Sequence, residues 1–180
     1  PQPAAGDMRG LQLWVNLPAS RKMMDPRYRD IRAEQIPLID DEPGVRVRVV
    51  AGSHLGRSGP MEDLVQDPTY LDVTLEPGAR FERSFERAHT VVAYVLAGAG
   101  HFVPREGGLT ASEHLIRYGE GEKVEIVSGP GGLRFLVFSG EPIREPVAWR
   151  GPIVMNTEEE LYEAFREYRD GTFIKVGTAH

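Results

Sequence analysis

Between Gly44 and Phe138 the chain is written in short runs that alternate apolar with polar residues, each closed by glycine or proline. Val45, Val47 and Val49 alternate with Arg46 and Arg48, and Leu71, Val73 and Leu75 with Asp72 and Thr74. Side chains two apart on a strand share a face, so each run predicts a half-buried strand. Val91 to Leu96 is apolar throughout and predicts a central strand buried on both faces. Leu115 to Tyr118, Lys123 to Val127 and Leu133 to Phe138 read as further strands, and His101 to Val103 as the start of a return strand. The expected turns are Pro77-Gly78, Gly98 to Gly100, Gly119-Glu120-Gly121 and Gly129-Pro130-Gly131-Gly132. Phe81 and Phe85 sit among charges and read as an edge or loop. Many short strands with glycine turns make a mainly β chain, a closed barrel or a sandwich.

One helix stands out. Thr157 and Glu160 form a capping box, and Glu158 and Glu159 suit the positive helix N-terminus. Leu161, Ala164, Phe165 and Tyr168 recur at helical spacing, and Gly171 is a natural C-cap. At the other end, Pro1 to Gly6 reads as a tail. Leu11, Leu13 and Val15 alternate with Gln12 and Trp14, which predicts a strand ended by Leu17-Pro18. Ala19 to Pro43 reads as a connecting arm with little regular structure.

Composition narrows the function. The net charge is -6 and there is no cysteine. An acidic chain does not attract phosphate backbones or anionic bilayers, so neither nucleic acid nor a membrane is an expected partner. Disulfides, thiolate nucleophiles and thiolate metal sites are excluded. The longest apolar run is far short of the roughly 20 residues of a spanning helix. Pro1 to Asp7 carries neither the basic nor the apolar part of a secretory leader, so the expected location is cytoplasmic.

Several strings resemble one family. Gly10 to Pro18 (Gly-Leu-Gln-Leu-Trp-Val-Asn-Leu-Pro), followed by Met24-Asp-Pro-Arg-Tyr28, resembles the segment joining the two halves of pirins. Val45 to Gly52, Thr69 to Asp72, Leu75 to Gly78 and Tyr94-Val-Leu-Ala-Gly98 resemble their second half. So do Gly140 to Pro146 and Gly151-Pro-Ile-Val-Met-Asn-Thr157. The resemblance implies a cupin-type antiparallel β-barrel, jelly-roll-like, with one C-terminal α-helix. It implies that residues 1–18 are a tail and strand of a preceding barrel, 19–44 the arm, 45–150 the C-terminal cupin barrel and 151–180 the helix and tail. Pirins are bicupins, and the resemblance implies iron bound in the first barrel by three histidines and a glutamate. Family members are described as quercetin 2,3-dioxygenases or as nuclear transcription co-regulators.

A metal-binding cupin carries His-x-His on one strand, a glutamate shortly after, and a further histidine on a later strand. No His-x-His string occurs here. Aligning Tyr94 to Gly98 with the cupin string puts the ligand positions near Phe85, Arg87, Val91 and Gly131, none of them a ligand type. No cofactor is therefore expected for this chain, although iron belongs to the intact family. The remaining histidines were weighed one by one. His54, in a Gly-Ser loop, and the terminal His180 read as solvated. His89 and His101 flank one strand, too far apart to share a metal. His101 and His114 make the fallback pair, with Glu113 or Glu106 as a carboxylate. Glu158 to Glu160 read as helix-capping charge, and the serines show no nucleophile pattern.

Three functions remain open. The preferred one is a metal-free C-terminal cupin, a structural and interaction module of a bicupin, with no catalytic residue of its own. Its partner would be a preceding cupin barrel or second chain, met through Leu11, Leu13, Trp14 and Val15. The alternatives are an iron-dependent dioxygenase of the quercetin 2,3-dioxygenase type and a binder of small apolar ligands in the barrel interior.

Overall fold

The computed structural model describes residues 10–102 and 107–175. The tail at Pro1 to Gly6, together with Val103, Glu106 and His180, lies outside the described residues. The chain divides into two compact units, Pro1–Pro26 with Ile143–His180, and Arg27–Pro142.

The second unit is antiparallel sheet. Its strands are β1 (Leu38–Asp40), β2 (Val45–Ala51), β3 (Ser53–His54), β4 (Arg57–Ser58), β5 (Thr69–Leu75), β6 (Arg80–Ser84), β7 (Thr90–His101), β8 (Thr110–Ala111), β9 (Leu115–Arg117) and β10 (Lys123–Gly140). The main sheet runs β1-β2-β5-β10-β7-β8, with β6 also on β10 and β9 also on β7. β3 and β4 form a separate hairpin.

Register explains the core. Val47 lies opposite Val73, Val73 opposite Phe135 and Phe135 opposite Val95. Ile126 lies opposite Phe81. All of these side chains are fully buried in one cluster. Phe135 meets Phe81 and Phe102 edge-on, with centroids 5.8 and 5.6 Å apart. Phe135 thus sits between two phenyl rings in the core, and edge-to-face pairs add to their burial.

Four sequence expectations are corrected. The Phe81 stretch is a strand, β6, and Phe81 is 1% exposed; its charged neighbours Arg80, Glu82 and Arg83 obscured an ordinary alternation. β7 is central but buried on one face only: Val91, Ala93 and Val95 are buried, while Val92, Tyr94 and Leu96 are half-buried. Gly98 to Gly100 is not a turn, because β7 continues to His101 and ends there. Likewise Gly129 to Gly132 lies inside β10, which joins the two strands expected on either side of it.

The glycines are where β7 and β10 change register, between the Ser128 and Leu133 pairings. A bulge bends a strand and needs residues without side chains on the crowded side. Gly98 has φ +75°, and a Cβ there would stand 2.2 Å from the Gly132 carbonyl oxygen. Close by, the buried Ser128 hydroxyl donates to the Glu76 carbonyl.

In the first unit, β11 (Ala148–Arg150) pairs with β12 (Ile153–Met155), and α1 (Glu158–Asp170) packs on both. The capping box forms as expected, with the Glu160 amide donating to Thr157 Oγ1 at 3.1 Å and the Thr157 amide to Glu160 Oε2 at 3.0 Å. Gly171 closes the helix in the left-handed conformation. Leu161 and Ala164 bury against Ala148 and Ile153. The strand expected at Leu11 to Val15 does not form: residues 10–18 make no strand pairing among the described residues. Trp14 instead packs on Trp149, centroids 6.1 Å apart.

The Gly98 contact yields a direct test. Gly98→Ala combines an unfavourable φ with a backbone clash, so it is expected to destabilise the chain by at least about 2 kcal/mol. Gly108→Ala, which meets open space, should stay within about 0.5 kcal/mol. Urea midpoints of the two variants check the contrast.

Candidate functional site

The structure separates the fallback pair. Gly100 pairs with Thr110, which sets His101 at the far end of β7, whereas the His114 carbonyl accepts from the Val95 amide. Six residues of strand rise, roughly 20 Å, lie between those two levels. His101 Nδ1 donates to the Gly107 carbonyl at 3.1 Å, and the exposed His114 ring sits 3.1 Å from the Ser112 carbonyl. Glu113 is exposed, with φ +67°. Among the described residues no group of three histidines and carboxylates is placed to hold a metal ion.

The mapped ligand positions scatter too. Phe85 packs against the core, Arg87 is exposed and bonds Glu122 at 3.1 Å, Val91 is buried at the start of β7, and Gly131 faces open space. On β6 the residues alternating with the exposed ones are Phe81 and Arg83. The four mapped positions thus present an aromatic ring, a guanidinium, an aliphatic side chain and a glycine. A divalent iron prefers imidazole and carboxylate ligands. The mapped positions themselves offer neither ligand type.

Arg83 leads to the residue that sequence reasoning misplaced. His54 is not solvated; it is 6% exposed. Its Nε2 lies 2.8 Å from Asp41 Oδ2, and its Nδ1 lies 2.8 Å from Arg83 Nη1. Arg83 Nη2 donates to the Ser53 carbonyl at 2.7 Å, and the guanidinium lies 5.1 Å from the Phe85 ring centre. A guanidinium only donates, so Nδ1 must accept and Nε2–H must donate to Asp41. His54 is therefore a neutral imidazole of defined tautomer, bridging a carboxylate and a cation. Burial also holds the Arg83 guanidinium below its ordinary pKa. Asp41, His54 and Arg83 come from three separate stretches, and no local motif marks their meeting.

The first unit carries a groove. Trp14, Val15, Leu17, Met23, Trp149 and Met155 supply most of its apolar wall, around a volume of about 450 Å³. Polar atoms hold its frame. Lys22 Nζ donates to Asn16 Oδ1 at 2.6 Å. Glu145 Oε2 accepts from the Ala19 amide at 2.7 Å and from Asn156 Nδ2 at 2.9 Å. Desolvation lowers the Lys22 pKa, partly offset by Glu145 and Glu160. Asn16 and Asn156 belong to the two most specific sequence strings, Gly10 to Pro18 and Gly151 to Thr157. Both strings fold into this one unit. Leu11, Leu13, Trp14, Val15, Val147 and Trp149 are all exposed there.

Comparisons with known proteins agree with this architecture. The family model of the pirin C-terminal cupin domain matches residues 70–174. The chain is 38% identical to pirin-1 of Arabidopsis thaliana over 165 residues, covering 89% of this chain and 56% of that protein. It is 37% identical to pirin of Homo sapiens over 164 residues, again covering 89% and 56%. A crystal structure of quercetin 2,3-dioxygenase from Acinetobacter baumannii superposes with a TM-score of 0.79 and 31% identity, over 89% of this chain and 55% of that one. The chain thus spans little more than half the length of these relatives. Among the described residues no helix is long and apolar enough to cross a membrane. Since the family model takes in more than half of its residues, this chain belongs to the pirin family, through that family's C-terminal cupin.

Proposed function

We propose that this chain works as a metal-free cupin module, whose task is to dock against a second cupin barrel and not to carry a reaction itself. The observation that carries this reading is the first unit's exposed apolar face. Leu11, Leu13, Trp14 and Val15 lie beside Val147 and Trp149, all about half exposed or more. Buried aromatic anchors dominate the energetics of protein interfaces, and Trp is the most enriched of them. The relatives are almost twice as long as the part this chain covers, which leaves room for a further barrel. A cytoplasmic setting suits a chain without cysteines to cross-link.

The mapped ligand positions support the metal-free half of the reading, since Phe85, Arg87, Val91 and Gly131 carry no iron-ligating group. A second reading is iron-dependent oxygenation of the quercetin 2,3-dioxygenase type by the whole polypeptide. It is favoured by the Acinetobacter baumannii structure of that name. In that case this chain would supply a wall and not the ligands. The interior of the barrel, filled by Phe81, Phe102 and Phe135, gives little support to a third reading as a binder of small apolar ligands.

Two measurements check these readings. After reconstitution with ferrous iron, mass spectrometry should find the purified chain essentially free of iron and without quercetin turnover. One iron per chain, or turnover, would overturn the metal-free reading. The docking surface is checked by Trp14→Glu and Trp149→Glu in the polypeptide carrying the partner barrel. Limited proteolysis between the barrels should then accelerate about tenfold. An unchanged rate would remove this face from the interface.

A further inference from the structure

The Asp41–His54–Arg83 chain is built so that one proton decides its geometry. We propose that His54 is a proton-operated latch: while neutral it docks Arg83 inside the Arg27–Pro142 unit, and when protonated it releases Arg83 and loosens the β3–β4 hairpin.

The argument rests on donor and acceptor capacity. Among the described residues His54 Nδ1 is the sole side-chain acceptor that Arg83 uses, and the other guanidinium bond goes to the Ser53 carbonyl beside it. The guanidinium cannot give up its role as donor. A proton arriving on Nδ1 removes the acceptor and sets two cations in contact. Asp41 works in the opposite sense, because its carboxylate stabilises an imidazolium through Nε2–H. The imidazolium therefore keeps Asp41 and loses Arg83. Among the described residues the charged groups bonded to the ring are Asp41, from the β1–β2 connection, and Arg83, from β6. Arg57, opposite His54 in the hairpin, is exposed. The Phe81 ring lies 6.1 Å away.

Release matters because little else ties Arg83 down. Its Nε is buried with no hydrogen-bond partner among the described residues, and the Phe85 ring lies beside the guanidinium. A desolvated cation that loses a hydrogen bond gains by moving to water. The Ser53 carbonyl is released with it. The hairpin is then held by its own pairing, by the Gly59 amide on the Gly52 carbonyl at 2.9 Å, and by the Met61 amide on the Val50 carbonyl at 3.3 Å. The sign follows directly. The latch is closed while the ring is neutral and opens when acid protonates it.

The test combines two readouts between about pH 8 and pH 5. Ring nitrogen shifts of His54 at pH 8 should show a protonated Nε2 and a bare Nδ1. Hydrogen-exchange protection of the Gly59 and Met61 amides should fall about tenfold at the acid end, the equivalent of one hydrogen bond to a charged group. His54→Gln keeps an acceptor for Arg83 and a donor for Asp41 but does not titrate, so its protection should be flat with pH. Arg83→Met has no cation to release, and its protection should be low and flat. A protonated Nδ1 in the parent at pH 8 would overturn the proposal, as would an acid response in His54→Gln equal to the parent's. Should His54→Gln fail to fold, Arg83→Met decides alone: a parent-like acid response there overturns the latch.

Discussion

One strand carries the architecture of the Arg27–Pro142 unit. β10 hydrogen-bonds to β6 along its first part and to both β5 and β7 along the rest. Three neighbours on one strand demand a bend, because the two parts cannot pair with different partners while lying flat. The glycines at 98 and 132 supply the close approach that the bend requires. Phe135, Ile126 and Leu133 then reach one core from different parts of the same strand. The aromatic cluster, the buried Ser128 and the inward face of β6 all take their places from that crossing.

Much of this is visible in the amino acids. The valine alternations at 45–49 and the alternation at 71–75 identify their strands and buried faces directly, since one period decides both. The helix is equally plain, because Thr157, Glu160 and Gly171 each do a local job that residue type announces. Misreadings cluster where one residue type serves two geometries. Glycine marks a turn and a bulge alike, so 98–100 and 129–132 read as chain reversals when they are bends within strands. The apolar stretch from Val91 to Leu96 predicted burial on both faces, whereas its outer side chains remain half-buried. Around Phe81, charges that pair on the sheet surface, such as Arg80 with Glu125 at 2.8 Å, disguised a strand as a loop.

The candidate sites were less legible than the fold. His54 sits beside glycine and serine, and nothing nearby hints at Asp41 or Arg83. Their meeting is a product of topology: the β1–β2 connection, the β3–β4 hairpin and β6 converge, and only the folded chain brings them together. The specific strings at 10–18 and 151–157 were recognisable as motifs, but their purpose was not. Folding shows that Asn156 and Glu145 clasp the segment that includes Ala19, while Asn16 and Lys22 brace each other beside Trp14.

That clasp has a consequence for how the protein comes into being. The unit containing Trp14 is assembled from two stretches far apart in the sequence, Pro1–Pro26 and Ile143–His180. During translation the earlier stretch waits for its distant complement to leave the ribosome before this unit can close. At about 5–20 residues per second that interval is roughly 6–23 s. The β-sheet unit, encoded wholly in between, can complete its own core within that interval. Through it, Trp14 lacks the Trp149 ring it packs against in the folded unit, so that unit can close only after the sheet between its two stretches has been made.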